Sequence, residues 1–194
     1  MINTNYTPKA EKSMGAAEKI PAGGYVAKIL GAKVEEYSWG DVLVVSFDIA
    51  EGDYKDFFTN QYKADTREDK KWKGAYRLNI PTDKSKYPES DRKGFNNFIF
   101  ALKYSNKGYE FVTDESKLKG NKMGVLFRNK EFMKDDGTTG WFSDCCAVCE
   151  IEEIKNGTFK MPKDKPLTNS AQTTIAPSTS AMPVEDDIDD DLPF

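Results

Sequence analysis

The side chains best suited to chemistry in this sequence are cations interleaved with aromatic rings. Residues 63–77 read KADTREDKKWKGAYR, in which Arg67, Lys70, Lys71, Lys73 and Arg77 flank Trp72 and Tyr76. A second group lies at 127–132, FRNKEF, where Arg128, Lys130 and Phe132 share the face of a strand opposite Phe127. Tyr37 and Trp39 adjoin a Ser38-Trp39-Gly40-Asp41 turn. Phe47 and Phe57 read as core, whereas Phe58 is kept with the candidate stacking rings. Cations follow phosphates and an exposed ring takes a base face to face, for about 1–3 kcal/mol per base. The combination therefore points to a surface for single-stranded nucleic acid. The competing reading makes Trp72 and Tyr76, four residues apart, packing residues of a short helix whose lysines are only its solvated face.

Other chemistries are poorly supplied. The chain has no histidine, which removes the commonest general base and every Ser-His arrangement. Cys145, Cys146 and Cys149 form a tight, odd-numbered cluster with no second pair, unsuited to a disulfide framework or to a tetrahedral metal site. They read as small apolar residues of a strand. The expectation is a binding protein and not an enzyme, with no catalytic residues, metal or cofactor.

The elements that would position these residues follow from periodicity. Residues 25–37 alternate through Val26, Leu30, Ala32 and Val34 as a long half-buried strand, and residues 41–52 through Leu43, Val45, Phe47 and Ile49 as a central one. Residues 54–62, YKDFFTNQY, read as a third strand of the same meander. Phe95, Phe98, Ile99 and Leu102 then recur at helical spacing, with Ser90 or Asp91 as the cap. A final strand pair, 122–132 and 140–154, surrounds a turn at Asp135-Asp136-Gly137-Thr138. On its second strand Trp141, Cys145, Ala147, Cys149 and Ile151 share a face. Three strands, a helix and two strands predict a mainly β fold, an OB-like five-stranded barrel with one helix between strands 3 and 4.

Charge divides the chain. Residues 165–194 hold Glu185, Asp186, Asp187, Asp189, Asp190 and Asp191 against Lys165 alone, whereas the other 27 basic and 26 acidic residues nearly cancel. Residues 165–184, rich in Ser, Thr, Pro and Ala, read as a disordered linker with a random-coil reach of about 25 Å. Residues 1–19 read as a shorter flexible segment, 20–164 as the folded domain and 185–194 as an acidic tip. No apolar run approaches the roughly 20 residues of a membrane span and the N-terminus lacks a signal-peptide core, so a cytoplasmic location without membrane contact is expected. The tip DDIDDDLPF offers a partner's apolar pocket the Phe194 ring, preset by Pro193 beside Leu192, and offers a basic rim Asp189, Asp190 and Asp191.

That tip is similar to the C-terminus of bacterial single-stranded DNA-binding proteins, in which acidic residues precede a final Pro-Phe. The body resembles phage-encoded single-stranded DNA-binding proteins through its Pro-x-Gly-x-Tyr (Pro21 to Tyr25), its Phe-Asp-Ile followed by Glu-Gly (Phe47 to Gly52), and its Leu-Lys-Gly followed by Gly-Val-Leu-Phe-Arg (Leu118 to Arg128). It departs from the bacterial proteins in a 30-residue insertion after the third strand, which puts their tetramer and wrapped DNA in doubt. The resemblance implies a protein that coats single strands without sequence preference in phage DNA replication, recombination and repair, and whose tip gathers helicases, primases, polymerases, nucleases or recombinases. A homo-oligomer is compatible with it. Two rivals are a strand-annealing recombination accessory and a DNA mimic whose acidic tail occupies an enzyme's nucleic-acid site.

Overall fold

The computed structural model describes residues 19–167. The expectations for 1–18 and for 168–194, including the tip with Asp189, Asp190, Asp191, Leu192, Pro193 and Phe194, lie outside the described residues. Five strands form one antiparallel sheet: β1 (Gly23–Tyr37), β2 (Gly40–Ile49), β3 (Ala75–Ile80), β4 (Lys122–Met133) and β5 (Thr139–Cys149), in the order β3-β2-β1-β4-β5. The fold is mainly β and the sheet is open, with β3 and β5 at its edges. Among the described residues three α-helices accompany it, α1 (Phe57–Ala64), α2 (Pro88–Ser105) and α3 (Ile151–Asn156), with a short 3-10 turn at Glu115–Leu118. Among the described residues no helix is long and apolar enough to cross a membrane.

The alternating apolar residues of β2 suit its interior place between β3 and β1: Leu43, Val45, Phe47 and Ile49 all enter the core. On the other face Val44 is also buried, flanked across the ladders by Lys33 and Arg77. β1 does not keep the single face expected for it. A register shift between Ile29 and Gly31 puts Ala27 and Ile29 in the core before it and packs Ala32 against the core after it, while Leu30 and Val34 are exposed. One extra residue reverses the parity of everything beyond it. Phe98, Ala101 and Leu102 of α2 close the core. The helix starts at Pro88, and Asp91 is not its cap but is buried, accepting a hydrogen bond from Asn79 Nδ2 at 2.9 Å. β5 ends at Cys149, so Ile151 belongs to α3. α3 lies over β4 so closely that a Cβ on Gly124 would fall 2.8 Å from Ile154.

The expected third strand is a helix. Its first turn is capped from a distance: the buried Asp48 accepts from the backbone N–H groups of Ile49 (2.8 Å), Phe58 (2.9 Å) and Thr59 (2.9 Å). Asp56, at φ 59°, turns the chain into it. The third strand proper is β3, inside what the sequence presents as a basic insertion. Replacing Asp48 by Ala would leave buried donors unpaired, and we expect a loss of about 2–3 kcal/mol in urea unfolding, with Asp48→Asn losing roughly half as much. Equal stability of Asp48→Ala and wild type would refute the capping role.

Candidate nucleic-acid interface

The open side of the sheet shapes the site. Where the edges of β3 and β5 face one another, Tyr76 and Arg77 lie across a cleft of about 210 Å³ from Arg128, Asp144 and Cys146. This cleft shares Ala75, Asp144 and Cys145 with a larger groove of about 680 Å³ that follows β5 toward its start. Phe57 and Gln61 of α1 form one wall of the groove, with Lys73 beside them. Phe132, Trp141 and Phe142 form the other, with Lys134 at the β4–β5 turn and Lys19 at the N-terminal end of the described chain. Lys19 Nζ donates to the Trp141 carbonyl, and Ser143 Oγ to the carbonyl of the buried Ile20, so this segment is tied to β5.

The rings and charges are arranged for contact with a ligand of both kinds. Trp141 and Phe142 are each 38% exposed and Phe132 is 39% exposed. Phe132 meets Phe142 edge to face at 5.8 Å, and Lys130 Nζ lies 5.8 Å from the Phe142 ring. Arg128 Nε is 3.3 Å from Asp144 Oδ2, which holds the guanidinium against β5. On the other side of β4 the chain returns: Glu131 N–H donates to Lys165 O and Lys165 N–H to Asn129 O, both at 2.8 Å. The beginning of the expected linker thus runs along β4.

Only some expected site residues meet here. Lys73 and Phe132 line the groove; Arg77 and Arg128 line the cleft. Phe58 and Tyr76 do not serve as stacking rings, because they are 6% and 2% exposed and belong to the core. Trp72 is half-buried, its Nε1 donating to Phe47 O (3.2 Å) and Gly74 O (2.9 Å), which fastens the α1–β3 connection to β2. It packs as the competing reading had it, though on an irregular segment and not a helix. Arg67 forms a fork on Asp65, with Nε–Oδ1 2.9 Å and Nη2–Oδ2 2.7 Å, and these hydrogen bonds hold the Asp65 carboxyl well below the usual range. Lys70 lies over the Tyr62 ring at 4.7 Å, and Lys71 is exposed on the same connection. Tyr37 and Trp39 stack on each other, with centroids 5.0 Å apart and planes 13° apart, at the tip of the β1–β2 hairpin. That tip is the end of β1 away from Gly23, the residue paired with Phe127, and neither ring lines the groove.

Arg77 is partly engaged already. Its Nη1 is 2.8 Å from Glu35 Oε2, and Glu35 also accepts from Lys33 and from the Tyr37 hydroxyl. Hydrogen bonds from Lys33 first, then Tyr37 and Arg77, pull the Glu35 carboxyl down to about 2. A phosphate would have to compete with this carboxylate. We therefore expect Lys73→Ala to weaken oligonucleotide binding more than Arg77→Ala, and to lower the slope of log affinity against log salt by about 1. A larger loss for Arg77→Ala in a salt-dependent titration would reverse that assignment.

From the sequence, Phe142, Lys19 and Lys134 take no binding role and Trp141 falls on the core face; Phe57, which reads as core, does pack against the core but also lines the groove. A bulge between Leu126 and Phe127 lets Phe127 pair with Cys145 and skips Cys146. Trp141 keeps the side of Cys145, but it lies where β4 and β5 overhang the core. The adjacency of Trp141 and Phe142 was the available signal, since consecutive rings on a strand face opposite ways and one of them must leave the core. The thiols take no part in the groove's charge: burial pushes Cys145 well up, Cys146 up, and Cys149 up to about 12, the last with help from Glu153 and Glu150. Among the described residues no group of His, Cys, Asp and Glu could hold a metal ion. No protein-family model matches the sequence, and no curated protein matches it either.

Proposed function

We propose that this chain binds single-stranded DNA without sequence preference, as a binding protein and not an enzyme, in the replication, recombination and repair of phage DNA within a bacterial cytoplasm. The observation that carries the reading is the groove along β5, where Phe57, Phe132, Trp141 and Phe142 stand beside Lys19, Lys73 and Lys134. Rings at the rim of a cationic groove suit bases stacking in turn while phosphates follow the lysines, and such contacts tolerate any base.

The element order supports an OB-like reading of the fold. An OB-fold is a five-stranded barrel, often partly open, whose β2–β3 face and β1–β2 and β4–β5 loops bind oligonucleotides. Here a β3–β5 seam is all that closure would add to the strand order, and a helix separates β3 from β4. In this reading the β1–β2 tip with Tyr37 and Trp39 extends the path beyond the groove. The acidic tip, through Asp189 to Phe194, recruits replication and recombination proteins.

The test is a titration of the full chain with oligo(dT) at two salt concentrations, followed by intrinsic tryptophan fluorescence, with duplex DNA of equal length as the control. Salt-sensitive quenching by the single strand alone is expected. Equal binding of both DNAs, or of neither, would end the proposal.

A further inference from the structure

We propose that the outward face of α2 is a second surface for single-stranded DNA, distinct from the groove along β5. This rests on the single-strand-binding reading above. Because α2 buries Phe98, Ala101 and Leu102, its turn of about 100° per residue carries Arg92, Lys93, Phe100, Lys103 and Tyr104 to the other side. All five are exposed, as is Lys107 just beyond the last turn.

Phe100 and Tyr104 pack on each other, with centroids 4.4 Å apart and planes tilted 42°. They are 47% and 63% exposed, and Tyr104 is the most exposed aromatic side chain among the described residues. Two rings in contact with each other and about half exposed leave apolar faces in water that a flat, π-bearing ligand would cover. The cations set the sign of that ligand. Arg92 lies 3.3 Å from Glu89 and Lys103 3.6 Å from Glu110, both weak, solvent-exposed pairs, while Lys93 and Lys107 have no acidic partner among the described residues. Lys93 and Lys103 are ten residues apart, roughly 15 Å along the axis. Positive charge spread along a line on both sides of stacked rings matches a chain of phosphates carrying bases.

This face is remote from the groove. α2 meets β5 at its far end, where Asn97 Nδ2 donates to Val148 O at 2.9 Å, and Val148 lies about 20 Å along the strand from Trp141. A short strand seated at one surface leaves the other available.

The full chain, Phe100→Ala/Tyr104→Ala and Trp141→Ala would each be mixed with a short oligo(dT) at the lowest concentration that fills the wild type, where a site weakened about tenfold or more stays largely empty, and weighed by native mass spectrometry, with circular dichroism melts to confirm folding. Both α2 rings are exposed, so the double variant should melt as wild type does. The expected result is two strands per chain for wild type and one for each variant. One strand on wild type, lost in Trp141→Ala and kept in the α2 variant, would overturn this proposal and leave the single-strand reading intact; no strand on any of the three would overturn both. In a parallel arm, a DDIDDDLPF peptide that shifts the Tyr104 ring resonances while oligo(dT) does not would assign the face to an acidic peptide and overturn the DNA proposal.

Discussion

Gly74→Ala should be among the most destabilising single changes in this domain, at roughly 3 kcal/mol, although it adds only one methyl group. A Cβ at Gly74 would stand 2.3 Å from Phe47 O and 2.7 Å from the Phe58 ring. The first contact is backbone in an interior strand and the second is a buried ring, so neither can turn aside. The same residue is a junction: its carbonyl accepts from Phe47 N–H at 2.8 Å and from Trp72 Nε1 at 2.9 Å. Moving Gly74 outward would disturb the start of the β2–β3 ladder, the seat of Trp72 and the wall that α1 gives to the groove. For a domain of this size the expected fall in Tm is about 6–12 °C. Gly31→Ala is the control, since a Cβ there meets nothing within 4 Å, and it should shift stability by no more than about 0.5 kcal/mol. Thermal unfolding of the two variants side by side decides the matter, and similar melts would mean that the α1–β3 connection does not press on β2 as described.

Trp141→Ala should produce the largest loss of DNA affinity of any groove substitution, about 10–100-fold, while leaving the melting temperature near that of wild type. The affinity figure is the 1–3 kcal/mol of one stacked base. The stability figure follows from position: Trp141 lies on the overhang of β5, 38% exposed and outside the buried core. Trp141→Phe keeps a flat ring and should recover most of the affinity. Fluorescence anisotropy with labelled oligo(dT) reads this directly for both variants. If Trp141→Ala bound as wild type does, the groove along β5 would not carry the measured affinity, which would then fall to the α2 face or to the stacked Tyr37 and Trp39. The salt dependence separates the two kinds of contact in the groove, because removing a ring lowers affinity at every salt concentration, whereas removing Lys73 flattens the slope.

Much of the architecture was legible without coordinates, for local reasons. Leu43, Val45, Phe47 and Ile49 alternate, Phe98 and Leu102 recur at helical spacing, and a Gly-containing turn separates β4 from β5, so these elements carried their own evidence. What failed depended on residues far away in sequence. Residues 57–64 contain consecutive phenylalanines that suit a strand, and the carboxylate that makes them a helix is Asp48, supplied from β2. β3 is hidden in the sequence because its alternation follows directly on a run of cations; the structure buries Tyr76 and pairs Arg77 with Glu35.

The amino-acid sequence by itself determined the mainly β class, the division between a nearly neutral body and an acidic end, and a supply of cations and rings far larger than a core requires. Only the tertiary structure decided which of them share a surface. The groove draws Lys19, Phe57, Lys73 and Trp141 from four separate segments, and they meet because the two unpaired sheet edges approach each other there. No local pattern encodes that approach. It follows from strand order, from a one-residue bulge at Cys146 that sets which way each β5 side chain points, and from an overhang that places Trp141 past the end of the core.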